Sequence, residues 1–184
     1  LVECQPEFVP HLPKLLEFIS VGGHLLLQKN SLMILCNLTT NIEIIERLAE
    51  RISPSNLLDV IALNSDCIRL YATMALSNLA SRQDFCLKIV QDRHSLQVLA
   101  SSMLTGSNIG ANRAALLTLY NISICESSAT LFVDALKQVV KLCACHDVLS
   151  RRYALMILAN VALNEATRLS ATRGGGLQAA VMAL

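Results

Sequence analysis

Four asparagines are the residues of this sequence best placed to act together. Asn37 ends the string Ser31-Leu-Met-Ile-Leu-Cys-Asn37-Leu38-Thr39, and Asn78 holds the same place in Ala72-Thr-Met-Ala-Leu-Ser-Asn78-Leu79-Ala80. The pattern returns in Ala115-Leu-Leu-Thr-Leu-Tyr-Asn121-Ile122-Ser123 and in Ala154-Leu-Met-Ile-Leu-Ala-Asn160-Val161-Ala162. The steps between the asparagines are 41, 43 and 39 residues. A primary amide carries two donor protons and an acceptor oxygen. In register along one face, four of them could bind the backbone of an extended chain laid across that face. They could equally bond to neighbouring helix ends or to each other, because an amide buried without a partner costs free energy. The residues alone leave both readings open.

Other chemistry finds little support. Cys143-Ala-Cys145-His146 has the spacing of metal ligands, but no second pair follows, and a structural zinc site takes four ligands. Small core residues at a helix end are the simpler reading. The histidines, His11, His24, His94 and His146, fall in separate units. There is no glycine-rich phosphate loop and no nucleophile with a base beside it, so catalysis, a cofactor and a small-molecule substrate are not expected.

The elements that must hold the asparagines follow from the same register. Six residues before each asparagine stands a small residue, Ser31, Ala72, Ala115 or Ala154. Four before it stands a flexible apolar one, Met33, Met74, Leu117 or Met156, and two before it always a leucine, Leu35, Leu76, Leu119 or Leu158. One residue after it is aliphatic, and the next is small again. Apolar positions at this spacing describe a helix buried along most of its surface. Between these helices the chain supplies starts and stops. Pro13 suits the first turn of a helix running to Ile19, and Gly22-Gly23 breaks it. Asn41 caps a helix reaching Glu50, and Ser53-Pro54 opens another over 56–63. Ser65-Asp66 starts the helix of Asn78. Helices are expected over 83–91, 95–104, 128–136 and 137–145, with Thr105 to Gly110 as a loop and Asp147 starting the helix of Asn160.

Self-similarity at about 40–47 residues marks helical solenoids. The string small-x-[Met/Leu]-x-Leu-x-Asn-aliphatic-small resembles the third helix of an armadillo repeat over essentially the whole chain. The resemblance implies an all-α, right-handed solenoid of three-helix repeats whose third helices line a concave groove. The single domain over 1–184 then divides into a partial repeat at 1–40, full repeats at 41–81, 82–124 and 125–163, and a partial repeat at 164–184. Arg173 to Gly176 before an apolar run resembles the elbow between first and second helices of that family. The pattern opens and closes on a second helix, without the polar capping helices of a free solenoid, so an excerpt from a longer protein is expected.

Positions 8 or 9 residues before the asparagines form a basic column, Lys29, Arg69, Arg113 and Arg152, with Tyr71 and Tyr153 beside it. This column is either part of the groove, favouring a partner with some acidic side chains, or a set of solvated helix starts. In the nuclear-import receptors of the armadillo family a tryptophan precedes the asparagine by four residues and stacks on basic cargo. Here those places hold Met33, Met74, Leu117 and Met156, which argues against lysine-rich cargo and for a repacking, tolerant floor.

The 184 residues are 53% hydrophobic, 16% charged and 4% aromatic, without tryptophan, and carry a net charge of +1. That is not the basic, aromatic-rich surface of a nucleic-acid binder, and no segment reads as a membrane span or signal peptide. Seven scattered cysteines fit reduced thiols in an intracellular, cytoplasmic or nuclear, protein. The expected function is a scaffold or adaptor that holds an extended or helical segment of a partner protein in the groove. The alternative is an architectural segment of a large subunit within a multiprotein assembly, for example a chromatin-remodelling or cytoskeletal one.

Overall fold

The computed structural model describes residues 6–20, 22, 24–63, 66–91, 95, 97–99, 101, 108–125, 128, 132–173 and 175. A 3-10 turn, Pro6–His11, leads into α1, Leu12–Ile19. Then follow α2 (Leu25–Leu38), α3 (Ile42–Arg51), α4 (Pro54–Leu63), α5 (Asp66–Leu79) and α6 (Gln83–Val90). The chain continues with α7 (Ile109–Ser123), α8 (Phe132–Leu142), α9 (Val148–Leu163) and α10 (Glu165–Arg173). No strand occurs among the described residues. The helices stack as an all-α solenoid of recurring units.

Its spine is the row α2, α5, α7, α9, each packed against the next. A second layer backs the row, with α1 on α2, α4 on α5 and α8 on α9. The short helices α3, α6 and α10 close the units, α3 against α5, α6 against α7 and α10 against α9. The invariant leucines point inward: Leu35, Leu76 and Leu119 are fully buried and Leu158 nearly so. The small residues six places before the asparagines, Ser31, Ala72, Ala115 and Ala154, are buried too. A larger side chain there would hold adjacent helices apart.

The helix ends show why the local sequence folds this way. The Asn41 side chain accepts from the backbone N–H groups of Glu43 (2.8 Å) and Ile44 (3.3 Å), starting α3. Replacing Asn41 by alanine should cost about 1 kcal/mol in a denaturant titration; an unchanged midpoint would show that packing alone sets this helix start. Lys88 donates to the free carbonyls of Ala49 (2.7 Å) and Glu50 (3.3 Å) at the end of α3. The buried Gln28 does the same for α1, donating to Ile19 O at 2.9 Å and Ser20 O at 3.1 Å. Gly22, at φ +91°, makes the turn between α1 and α2.

Three boundaries differ from the sequence-based expectation. Ile109 and Gly110 belong to α7 rather than to a loop, because the Asn108 side chain accepts from Gly110 N at 2.9 Å and Ala111 N at 3.1 Å. Helix α8 runs unbroken through Leu136 and Lys137, where two helices were expected; no breaker lies there, and Phe132, Leu136 and Val139 are buried along its length at helical spacing. Helix α4 begins at Pro54 itself. The helix expected over 95–104, the cap at Ser65, the start of the helix expected at 128 and the apolar run over 177–184 lie wholly or partly outside the described residues.

Candidate functional site

Helices α2, α5, α7 and α9 place the four asparagines at equivalent points near their C-terminal ends. Asn37 is exposed, while Asn78, Asn121 and Asn160 are half-buried. The last three each reach back to the preceding spine helix. Asn78 Nδ2 donates to Thr39 Oγ1 at 3.0 Å and approaches Cys36 O at 3.5 Å. Asn160 Nδ2 donates to Ser123 Oγ at 2.9 Å. Asn121 has a single long contact, Nδ2 to Ser77 O at 3.5 Å. Each amide therefore braces one joint between units and still keeps its oxygen, and Asn121 and Asn160 keep a second donor proton as well.

The apolar positions four residues earlier form a row beside the amides. Met33, Leu117 and Met156 are half-buried and Met74 is exposed. Tyr71 and Tyr153 lie partly buried against the core. Tyr153 also meets Tyr120 of the preceding spine helix, with ring centroids 6.4 Å apart. Tyr120 was not foreseen, because it occupies the variable place before the asparagine, where Cys36, Ser77 and Ala159 stand elsewhere.

The basic column is less uniform than its sequence register. Arg69 is paired with Asp66 in the first turn of its own helix. Arg113 grips Asp147 through two bonds, Nη2 to Oδ1 at 2.5 Å and Nε to Oδ2 at 3.1 Å. Asp147 in turn caps α9 by accepting from Ser150 N at 2.9 Å. The Arg113 guanidinium, with the Ser150 donor, holds the Asp147 carboxyl well below the usual carboxylate range. Lys29 and Arg152 enter no ion pair among the described residues. The free positive charge thus sits toward the two ends of the row, with a neutralised middle. Arg152 and Met156 border an open hollow on α9 together with Val148, Leu155 and Ala159.

Nothing among the described residues groups three or more histidine, cysteine or acidic side chains as a metal site would require. Burial pushes the Cys143 thiol up to about 11, with a lesser contribution from Cys145. It also pushes the Cys86 thiol up to about 12, with help from the neighbouring Cys125. Thiols held protonated in this way are poor nucleophiles and poor metal ligands. No described helix is long and apolar enough to cross a membrane.

No family model and no curated protein sequence matches this chain. Solved structures do. A designed armadillo repeat protein superimposes with a TM-score of 0.84 at 19% identity, over 96% of this chain and 76% of its own. Another, in complex with a (KR)4 peptide, gives 0.83 at 20% identity, over 96% and 76%. A third, computationally designed for modular peptide recognition, gives 0.80 at 22% identity, over 90% and 71%. These likenesses show the armadillo solenoid fold.

Proposed function

We propose that this protein is a non-catalytic scaffold that binds an extended segment of a partner protein along the row of spine helices. The observation that supports this reading best is the ladder itself. Three amides are held at matching points by bonds that leave the acceptor oxygen of each unused, a match for the N–H groups of an extended peptide backbone. Designed armadillo proteins of the same fold include one in complex with a peptide, although that peptide is basic. Here the methionine and leucine row offers no tryptophan stacking platform. The unpaired cations, Lys29 and Arg152, favour a segment with a neutral centre and acidic side chains toward its ends.

A second reading has its own support. Leu25, Leu26, Leu27 and Ile34 are exposed on α2, as Leu163 is at the end of α9. Such faces suit a segment built into a larger assembly.

The test is calorimetry on a peptide selected against the wild-type chain from a random display library. Asn78→Ala combined with Asn121→Ala should weaken binding roughly tenfold, as expected for two lost neutral hydrogen bonds. Wild-type affinity in a folded double variant would move the binding surface away from the ladder.

A further inference from the structure

The second residue after each repeat asparagine is Thr39, Ala80, Ser123 or Ala162. By size these are equivalent; by chemistry they alternate. Thr39 Oγ1 donates its proton to Cys36 O at 2.8 Å, and Ser123 Oγ donates its own to Tyr120 O at 2.7 Å. A hydroxyl that has given its proton to a carbonyl can only accept from a third group. The amide side facing it must then be the NH2, because an amide oxygen there would meet only lone pairs. Asn78 and Asn160 are thereby fixed in one of their two flip states. The order is amide to hydroxyl to carbonyl, across the joint between two units. At the middle joint the hydroxyl is missing. Ala80 stands where Thr39 and Ser123 stand, and Asn121 keeps only the 3.5 Å approach to Ser77 O. The Ser77 hydroxyl beside it is buried with no protein partner.

We infer that Thr39 and Ser123 are positioning residues that latch the asparagine of the following unit with its amide oxygen directed away from the joint, and that Ala80 leaves Asn121 unlatched. This rests on the peptide-groove reading for its use: latched amides present a fixed acceptor to a bound backbone, and the unlatched one can flip to suit its ligand. The latch itself exists or fails independently of any ligand. The places of Thr39 and Ser123 are both buried, so a hydroxyl fits this position and Ala80→Ser adds one oxygen to a site of proven shape.

The side-chain amide NMR signals of the uniformly labelled chain test the latch directly. In the wild-type protein the NH2 protons of Asn78 and Asn160 should exchange with solvent at least several-fold more slowly than those of Asn121. Thr39→Val should release Asn78 alone and Thr39→Ser should retain it, while Ala80→Ser should slow Asn121 to match the others. Equal exchange at the three amides, or no response of Asn121 to Ala80→Ser, overturns the latch. A backbone spectrum unchanged away from each site shows that the variants remain folded. The same display-selected peptide separates the two ideas: with the latch confirmed, Ala80→Ser should change its affinity by about 2- to 10-fold. A confirmed latch with no change in affinity overturns the use of these amides in binding and leaves the latch as a brace.

Discussion

Leu119→Ala should lower the unfolding free energy by about 2–5 kcal/mol, the range for truncating a fully buried leucine. Leu119 is completely buried in α7, and α7 is packed between α5 and α9. In a solenoid each unit draws its stability from its neighbours, so a cavity here weakens both interfaces. Denaturant unfolding followed by circular dichroism reads the effect. A curve superimposable on wild type would mean that the leucine two residues before the asparagine faces solvent, and the register that orders the chain would be wrong.

Removal of the Asp147 carboxylate should produce the second large loss. That group caps α9 and holds Arg113 of the preceding spine helix. Cap loss alone is worth about 1 kcal/mol, or roughly 2–4 °C in a domain of this size. Asp147→Ala should exceed that, because it also strips Arg113 of its partner. Asp147→Asn keeps a capping side chain and should lose only the charge pair, so it should fall between. The folded carboxyl titrates well below its unfolded value. Its contribution is therefore fully present above the unfolded carboxylate pKa of about 4 and is lost as pH falls below it. The melting temperatures of wild type and Asp147→Asn should converge as the pH is lowered from 7 toward 2. A constant gap would assign the effect of Asp147→Asn to something other than its charge.

The spine was legible because its register is strict: a small residue, a flexible apolar one, a leucine and an asparagine at fixed offsets allow one helix face to be assigned four times over. Some helix boundaries were read less well, since the start of α7 at its Asn108 cap and the unbroken α8 depend on a single side chain and on the absence of a breaker. The site was legible as a set of positions but not as an electrostatic surface. Lys29, Arg69, Arg113 and Arg152 look alike in sequence. Yet Arg69 is paired within its own first turn, and Arg113 is paired with a residue 34 positions away. Only the second pairing needs the fold to be seen. Classing Thr39, Ala80, Ser123 and Ala162 together as small hid the hydroxyls on which two of the four positions depend.

Four polar ties between units share a direction, while the Arg113–Asp147 pair runs the other way. Asn78 reaches Thr39, Asn121 reaches Ser77 and Asn160 reaches Ser123, while Lys88 reaches Ala49. In every one of these the side chain comes from the later residue, and the group it seeks was laid down about forty residues earlier. During synthesis, domains generally fold from the N-terminal side as the chain emerges. The spine helices that carry Asn78, Asn121 and Asn160 would then dock onto acceptors already in place, so for these three amides the ribosome delivers the donor after the group that receives it.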